Sequence, residues 1–342
     1  MNILPELRTK IKYALHRVPP KWKRMMTLGV NAFSLTPFVS LNSNARVVST
    51  NPFTGMRNIA RLCAHPKLCG VFSSLLLALC SISNTSIICM DFTIFDPFAV
   101  LVLALQTGDG RAIPVWLDII KYPIEKNSQN IFILDTLREF LALVRCHPKI
   151  VCDRGFIGEH LIRGFMDLGL KFYVRMKAGV HMKMKRKWVT LSSVYGLDVQ
   201  GTLYHEQLRV VRSSRTLQHK LHAKECWYIV TNDFKCTRDD ILLWYYHRFE
   251  IEECFKDIKH ILNTNPRWFQ KSNTLKTLLW FQVFGIWILS TVKNIPQTIL
   301  HFQTKHAHKK LSWIRQLFEW ITRERTALIV PVQESGKGVI ML

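Results

Sequence analysis

Between residues 86 and 120 the chain reads as three strands in succession, and this limits the folds open to it. Ser86-Ile87-Ile88-Cys89-Met90 is an apolar, β-branched stretch ending at Asp91. Phe98 to Gln106 is a continuous apolar run, and Thr107-Gly108-Asp109-Gly110 has the residues of a hairpin turn. Arg111 to Ile120 returns as a third strand. The expectation is three antiparallel strands, the first ending in an aspartate. Beyond them the pattern alternates. Ser128 to Cys146 places Ile131, Leu134, Leu137, Leu141 and Val144 at helical spacing. Lys149-Ile150-Val151-Cys152 is a short buried strand closed by Asp153-Arg154-Gly155. Phe156 to Leu168 is helical again, and Lys171 to Met176 is another strand. Strands alternating with helices predict a mixed α/β sheet.

The flanks differ in texture. Residues 1–80 read as helical pieces broken by Pro19-Pro20, Pro37, Pro52 and Pro66. Residues 177–235 read as a β-rich insertion that opens with a basic run, His181, Lys183, Lys185, Arg186 and Lys187. A helix then starts near Thr237, a plausible N-cap. Thr277 to Val292 is uncharged for 16 residues. That falls short of the roughly 20 needed to span a bilayer, so it reads as a buried helix. Met1 to Leu15 mixes charges into its apolar residues and has no signal-peptide core.

Charge names the partner. The chain has 342 residues, 48% of them hydrophobic, with a formal net charge of +23. So large a positive charge disfavours a compact fold unless it meets a polyanion. Residues 1–65 hold ten Lys/Arg against Glu6 alone, and residues 177–224 hold ten against Asp198 and Glu206. Nucleic acid is the leading partner, and a membrane surface is the alternative. Nine cysteines without a CxxC pair suit a reduced protein better than a disulfide scaffold. His219, His222 and Cys226 have zinc-like spacing, but no second cluster completes a site. No phosphate-binding GxxxxGK(S/T) loop is present.

The most chemical stretch is Tyr245 to Lys259. Tyr245, Arg248, Glu252 and Lys259 stand at offsets 0, 3, 7 and 14. On one continuous helix they fall within an arc of roughly 60°. A carboxylate flanked by cations suits a metal-bound, phosphate-handling site. Alone, Arg248 and Glu252 read as an i,i+4 pair on solvated surface. Two further acids change that reading. Asp91 and Asp153 each close a strand, and neighbouring strands can bring them together, with Glu252 added from a packed helix. Three well-placed carboxylates suffice for Mg²⁺, which keeps waters.

Here the chain resembles a family. Tyr245-x₂-Arg248-x₃-Glu252-x₆-Lys259 is similar to the hallmark of the insertion-sequence-4 group of bacterial DDE transposases. Asp153-Arg154-Gly155-Phe156 resembles that group's second acidic motif, and Asp91-Phe92-Thr93 its first. The resemblance covers roughly residues 85–295. It implies a ribonuclease H-like mixed sheet flanked by helices and interrupted by a β-rich insertion, behind a mostly helical N-terminal region. It implies that Asp91, Asp153 and Glu252 bind two Mg²⁺ ions, with Mn²⁺ as a substitute. Tyr245, Arg248 and Lys259 would hold phosphates near the cleaved end. The implied activity is cutting and joining the ends of an insertion sequence in double-stranded DNA, by a dimer, in the cytoplasm and on the nucleoid, with no membrane involved.

The organisation expected is a basic N-terminal region over 1–80 that binds DNA, a core over 81–177, the insertion over 178–235, the second part of the core over 236–300, and a basic tail over 301–342. The run Lys183, Lys185, Arg186 and Lys187 reads as a DNA track, with a solvated loop as the alternative. Asp96, Asp109 and Asp118 read as turn or surface acids. Glu253 is the nearest rival to Glu252 but lies about 100° round the helix. Trp227, Trp244 and Trp280 read as core. A DNA-binding remnant without catalysis is the competing function.

Overall fold

The computed structural model describes residues 3–30, 51–65, 67–108, 110–194, 196–214, 225–261 and 271–290. Pro37, Pro66, Asp109, His219, His222 and the tail over 301–342 lie outside the described residues.

The three expected strands form. Ile87–Phe95 (β1), Phe98–Leu105 (β2) and Ile113–Lys121 (β3) make an antiparallel meander with β2 in the middle. Seven of the eight residues of β2 are buried, because both faces of the sheet are covered there. Lys149–Cys152 (β4) runs parallel to β1 on its other side, and Phe172–Met176 (β5) runs parallel to β4.

The β-rich insertion is no separate lobe. It comprises β6 (His181–Met184), β7 (Lys187–Thr190), β8 (Asp198–Leu203), β9 (Glu206–Arg212) and β10 (Tyr228–Thr231). β10 pairs antiparallel with β5 and carries the others outward. The result among the described residues is one ten-stranded sheet, ordered β3-β2-β1-β4-β5-β10-β9-β8-β6-β7. The expected mixed sheet flanked by helices is what the chain builds.

Helices cover both faces. Ser128–Val144 (α5) buries Ile133, Leu134, Leu137 and Phe140, and Glu159–Asp167 (α6) buries Leu161, Ile162 and Phe165. On the opposite face lies Arg238–Tyr246 (α7). Its Ile241, Leu242 and Tyr245 pack with Val151, Tyr173, Val211, Trp227 and Ile229. Thr237 caps α7 as expected, its hydroxyl accepting from the Asp240 amide at 3.1 Å.

The apolar run near the C-terminus is the core of Ser272–Ser290 (α9; α8 is described below). It packs on β3, and Trp280 meets Trp116 edge-on with centroids 6.1 Å apart. No helix among the described residues is long and apolar enough to cross a membrane. Four N-terminal helices, Ile3–His16 (α1), Pro20–Gly29 (α2), Pro52–Cys63 (α3) and Leu68–Cys80 (α4), share this core. Phe72 of α4 packs against Phe281 with centroids 4.2 Å apart. Burying such a ring contributes about 1.5–3 kcal/mol, so the contact fastens the N-terminal helices to α9.

Two local expectations are corrected. Asp91 does not end β1: the strand runs on through Phe92-Thr93-Ile94-Phe95, still paired with β2. It is the pairing with β4 that ends, at Met90 opposite Cys152. Nor is Tyr245 to Lys259 one continuous helix. α7 stops at Tyr246, His247 and Arg248 form a corner, and Phe249–Lys256 (α8) follows. Bonds at the corner tighten to i,i+3, with the Glu250 amide donating to the His247 carbonyl at 3.0 Å. Asp257–Ile261 then loosens into a π-helical turn. No proline or glycine marks this corner; contacts with the rest of the fold impose it.

Candidate active site

β1 and β4 place the two aspartates by register. Met90 and Cys152 are the last matched pair of these parallel strands, so Asp91 and Asp153 both follow it, side by side. Side chains alternate across a sheet with a period of two. Asp91 and Asp153 therefore share the face of Ile87 and Val151, the face that α7 covers.

The corner between α7 and α8 supplies the other groups. Tyr245 is fully buried, and its hydroxyl donates to Asp153 Oδ1 at 3.2 Å. Arg248 is 2% exposed. Its Nη1 donates to Asp91 Oδ2 at 3.3 Å and its Nη2 to Glu252 Oε1 at 2.6 Å. One guanidinium thus links the first strand's aspartate to the helix glutamate. Lys259, on the π turn, places its ammonium 5.5 Å from the centre of the Phe95 ring, at the far end of β1. The stripe survives the broken helix: Tyr245 reaches Asp153, Arg248 and Lys259 reach Asp91 and Phe95 of β1, and Glu252 reaches Arg248.

The electrostatics follow from crowding. Burial pushes the Asp91 carboxyl up to about 6, and Asp153 and Glu252 push the same way. Arg248 and the Phe92 amide oppose this without cancelling it. Burial works against the charge on Arg248, but Tyr245, Asp153 and Glu252 outweigh it, so its pKa ends above the ordinary value. Burial raises Tyr245 to about 12, keeping the phenol protonated. Burial lowers Lys259.

Tyr245 and Arg248 turn inward to carboxylates, so neither side chain is open to a phosphate as placed. Glu253 points elsewhere, to Arg111 at 3.5 Å and to Lys256. Asp96 is an exposed turn acid, whereas Asp118 binds Lys276 of α9 at 2.7 Å. Trp227 and Trp280 are buried, and Trp244 takes Lys149 over its ring at 3.9 Å. Lys183, Lys185, Arg186 and Lys187 are exposed on the β6–β7 hairpin, at the far edge of the sheet from the carboxylates.

Sequence reasoning missed a layer behind the site. Gln106 donates to the Trp244 carbonyl at 2.7 Å, and Arg111 Nε to Asp257 at 2.8 Å. Glu250 is 4% exposed and faces the β2–β3 turn. Its signal was faint: a third acid beside Glu252 and Glu253, on the opposite side of the helix from Glu252.

The profile of the family described as "Transposase DDE domain" matches residues 109–288, just over half of the chain. The chain belongs to this DDE transposase family. The matched stretch contains Asp153 and Glu252, and Asp91 precedes it. No curated protein matches this DDE transposase in sequence. Among solved structures it is similar to a piggyBac transposase in a synaptic complex with hairpin DNA, seen by cryo-EM. Identity is 10%, coverage is 95% of this chain and 77% of that one, and the TM-score is 0.48.

Carboxylate oxygens are the donors that Mg²⁺ and Mn²⁺ prefer, so the donor set fits in kind. Among the described residues no three acidic, His or Cys side chains are gathered closely enough to hold an ion as placed. Asp91 and Glu252 both bind Arg248 instead.

Proposed function

We propose that this transposase cuts and joins the ends of an insertion sequence by metal-assisted phosphoryl transfer, with Asp91, Asp153 and Glu252 as the ligands. The observation that carries the proposal is the register of β1 and β4, which sets the two aspartates side by side beneath Arg248 and Glu252. Two Mg²⁺ ions, when bound, would supply Lewis-acid stabilisation of the attacking and leaving oxygens. The protein's own groups do the rest. Tyr245 holds Asp153, and Arg248 holds Asp91 and Glu252. Arg248 would also suit a phosphate at this site, as a permanently charged bidentate donor. Lys259 adds a cation at the far end of β1.

Lys183, Lys185, Arg186 and Lys187 are the proposed backbone track for double-stranded DNA, and two element ends call for a dimer at work. The relation to the insertion-sequence-4 group rests on the Tyr245, Arg248, Glu252 and Lys259 spacing. The location proposed with this activity is the cytoplasm, on the nucleoid when DNA is bound.

The test is a gel assay of binding and nicking on a cognate end. Glu252→Gln should keep binding and lower nicking by orders of magnitude. Glu253→Gln, which faces Arg111, should do little. Nicking that survives Glu252→Gln, or that proceeds in chelator, would overturn the metal site. Full binding with no nicking by the unaltered chain in Mg²⁺ or Mn²⁺ would mark a DNA-binding remnant.

A further inference from the structure

The β2–β3 turn is tied to the motif helix at almost every step, and one buried carboxylate makes most of the ties. Glu250 Oε2 accepts from the Thr107 amide at 3.0 Å and the Gly108 amide at 3.4 Å. Its Oε1 accepts from the Gly110 amide at 3.3 Å and lies 2.9 Å from His247 Nδ1. Gly108 and Gly110 both stand at φ +79°, a left-handed conformation that turns successive amides inward. Convergent amides of this kind form an anion-binding concavity. Here the anion is the chain's own side chain. The Glu250 carbonyl also accepts from the Ala112 amide at 3.3 Å, closing the tie from the other side.

Glu250 sits two residues from Arg248 and two from Glu252. Two residues are about 200° of helix, so the clamp and the site occupy opposite sides of one turn. His247, the corner residue, is itself a partner of the clamp. With no proline or glycine at the corner, these bonds, together with the one from Gln106 to the Trp244 carbonyl, hold the place where α7 ends and α8 begins. We propose that Glu250 is a positioning residue for the reaction: its carboxylate, held in the amide concavity of the β2–β3 turn, sets the corner that aims Arg248 and Glu252 at Asp91. This rests on the metal-assisted reading of the site.

A glutamine keeps the shape of Glu250 but replaces one acceptor oxygen with a donor, which then faces the amide donors of the turn. The experiment compares Glu250→Gln, Glu250→Asp and Glu252→Gln in the full chain on a cognate DNA end with Mg²⁺. It measures DNA affinity, nicking per bound complex at saturating DNA, and hydrogen exchange of the Thr107, Gly108 and Gly110 amides. Glu250→Gln should bind within about threefold of the parent, nick 10- to 100-fold more slowly per bound complex, and exchange those amides faster. Glu250→Asp, which keeps the charge, should recover part of the rate. A general loss of fold would instead lower binding and nicking together.

Glu252→Gln should abolish nicking while leaving the three amides protected. If Glu250→Gln nicks at the parent rate while Glu252→Gln does not, the clamp is overturned and the metal reading stands. If Glu252→Gln nicks normally, the metal reading falls, and with it the role of the clamp in the reaction; protected amides in Glu250→Gln would remove the clamp itself. Should Glu250→Gln not fold, Gly110→Ala strains the same turn with Glu250 intact, since a Cβ there meets nothing but stands at φ +79°. It should show the same loss of rate with retained binding, and a parent-like rate would overturn the proposal.

Discussion

Replacing Asp91 with asparagine should make the protein more stable at neutral pH, although it removes a hydrogen-bonding partner of Arg248. Burial and the neighbouring acids move the Asp91 carboxyl from an ordinary 3.8 up to about 6. The folded state therefore holds this proton more tightly than the unfolded chain. Stability from the group is fully present below 3.8 and is lost as pH rises towards 6. Above that, holding the carboxylate ionised costs about 3 kcal/mol relative to water, at about 1.4 kcal/mol per pH unit. By the same linkage about half of that cost is already present near pH 5.

Asp91→Asn carries no such charge, and its amide oxygen can still accept from the Phe92 amide, as Oδ1 does now at 2.8 Å. Urea denaturation in chelator, near pH 5 and near pH 7.5, isolates the effect. The variant's advantage should grow by about 1.5 kcal/mol between the two. The buried Asp257 carboxyl, also raised to about 6, titrates alike in both proteins and drops out of the difference. Parallel pH dependences, or an advantage that shrinks as pH rises, would refute the reasoning. Mn²⁺ should stabilise the parent more than the variant.

Other outcomes follow from named contacts. Gly201→Ala should weaken DNA binding without altering a charge. A Cβ there would lie 2.7 Å from the Lys183 carbonyl, a backbone atom that cannot swing away, so seating the β6–β7 hairpin should cost on the order of 1–3 kcal/mol. Neutralising Lys183, Lys185, Arg186 and Lys187 together should flatten the log–log salt dependence of binding by about 3–4 units and leave sequence preference alone; an unchanged slope would remove the hairpin from the track. Asp233→Ala should lower stability by about 2–3 kcal/mol in thermal or urea melts, by stranding buried donors. Burial alone would raise Asp233, but Cys236, Tyr173 and the Lys235 and Cys236 amides outweigh it and hold it at about 2. Its contribution is thus present above 3.8 and lost as pH falls towards 2, so the melts of parent and variant should converge in acid.

The meander and the first core helix were legible because period and turn chemistry are local. Phe98 to Gln106 is a continuous apolar run, and the residues from Thr107 to Gly110 after it have turn chemistry, which together read as a strand and its hairpin. Thr237 announced α7 for the same reason. Asp91 was assigned correctly to the first strand but wrongly to its end. What ends there is the pairing with β4, and pairing is not written in β1's own residues. The corner at His247 was invisible because its cause lies about 140 residues upstream, in amides that any residue carries. Glu250 was hidden by its neighbours: among three acids in four positions, only folding shows which is buried. The inward turn of Arg248 was likewise beyond reach, since i,i+4 spacing gives the same signal whether or not a sheet aspartate lies beneath it.

The single sheet has a metrical consequence. From β4, which delivers Asp153, to β6, which begins the basic hairpin, there are five hydrogen-bonded steps. At roughly 4.8 Å each they span about 24 Å. Along a duplex that is about seven base pairs. A twist of roughly 20° per step turns the hairpin about 100° from the direction of β4. If both ends touch one duplex, the sheet works as a rigid gauge between grip and cut, graduated in strand spacings. Related chains that gained or lost a strand between β5 and β6 would then grip their DNA about one and a half base pairs nearer or farther per strand. Footprint length would follow strand count, with the residues at the cut unchanged.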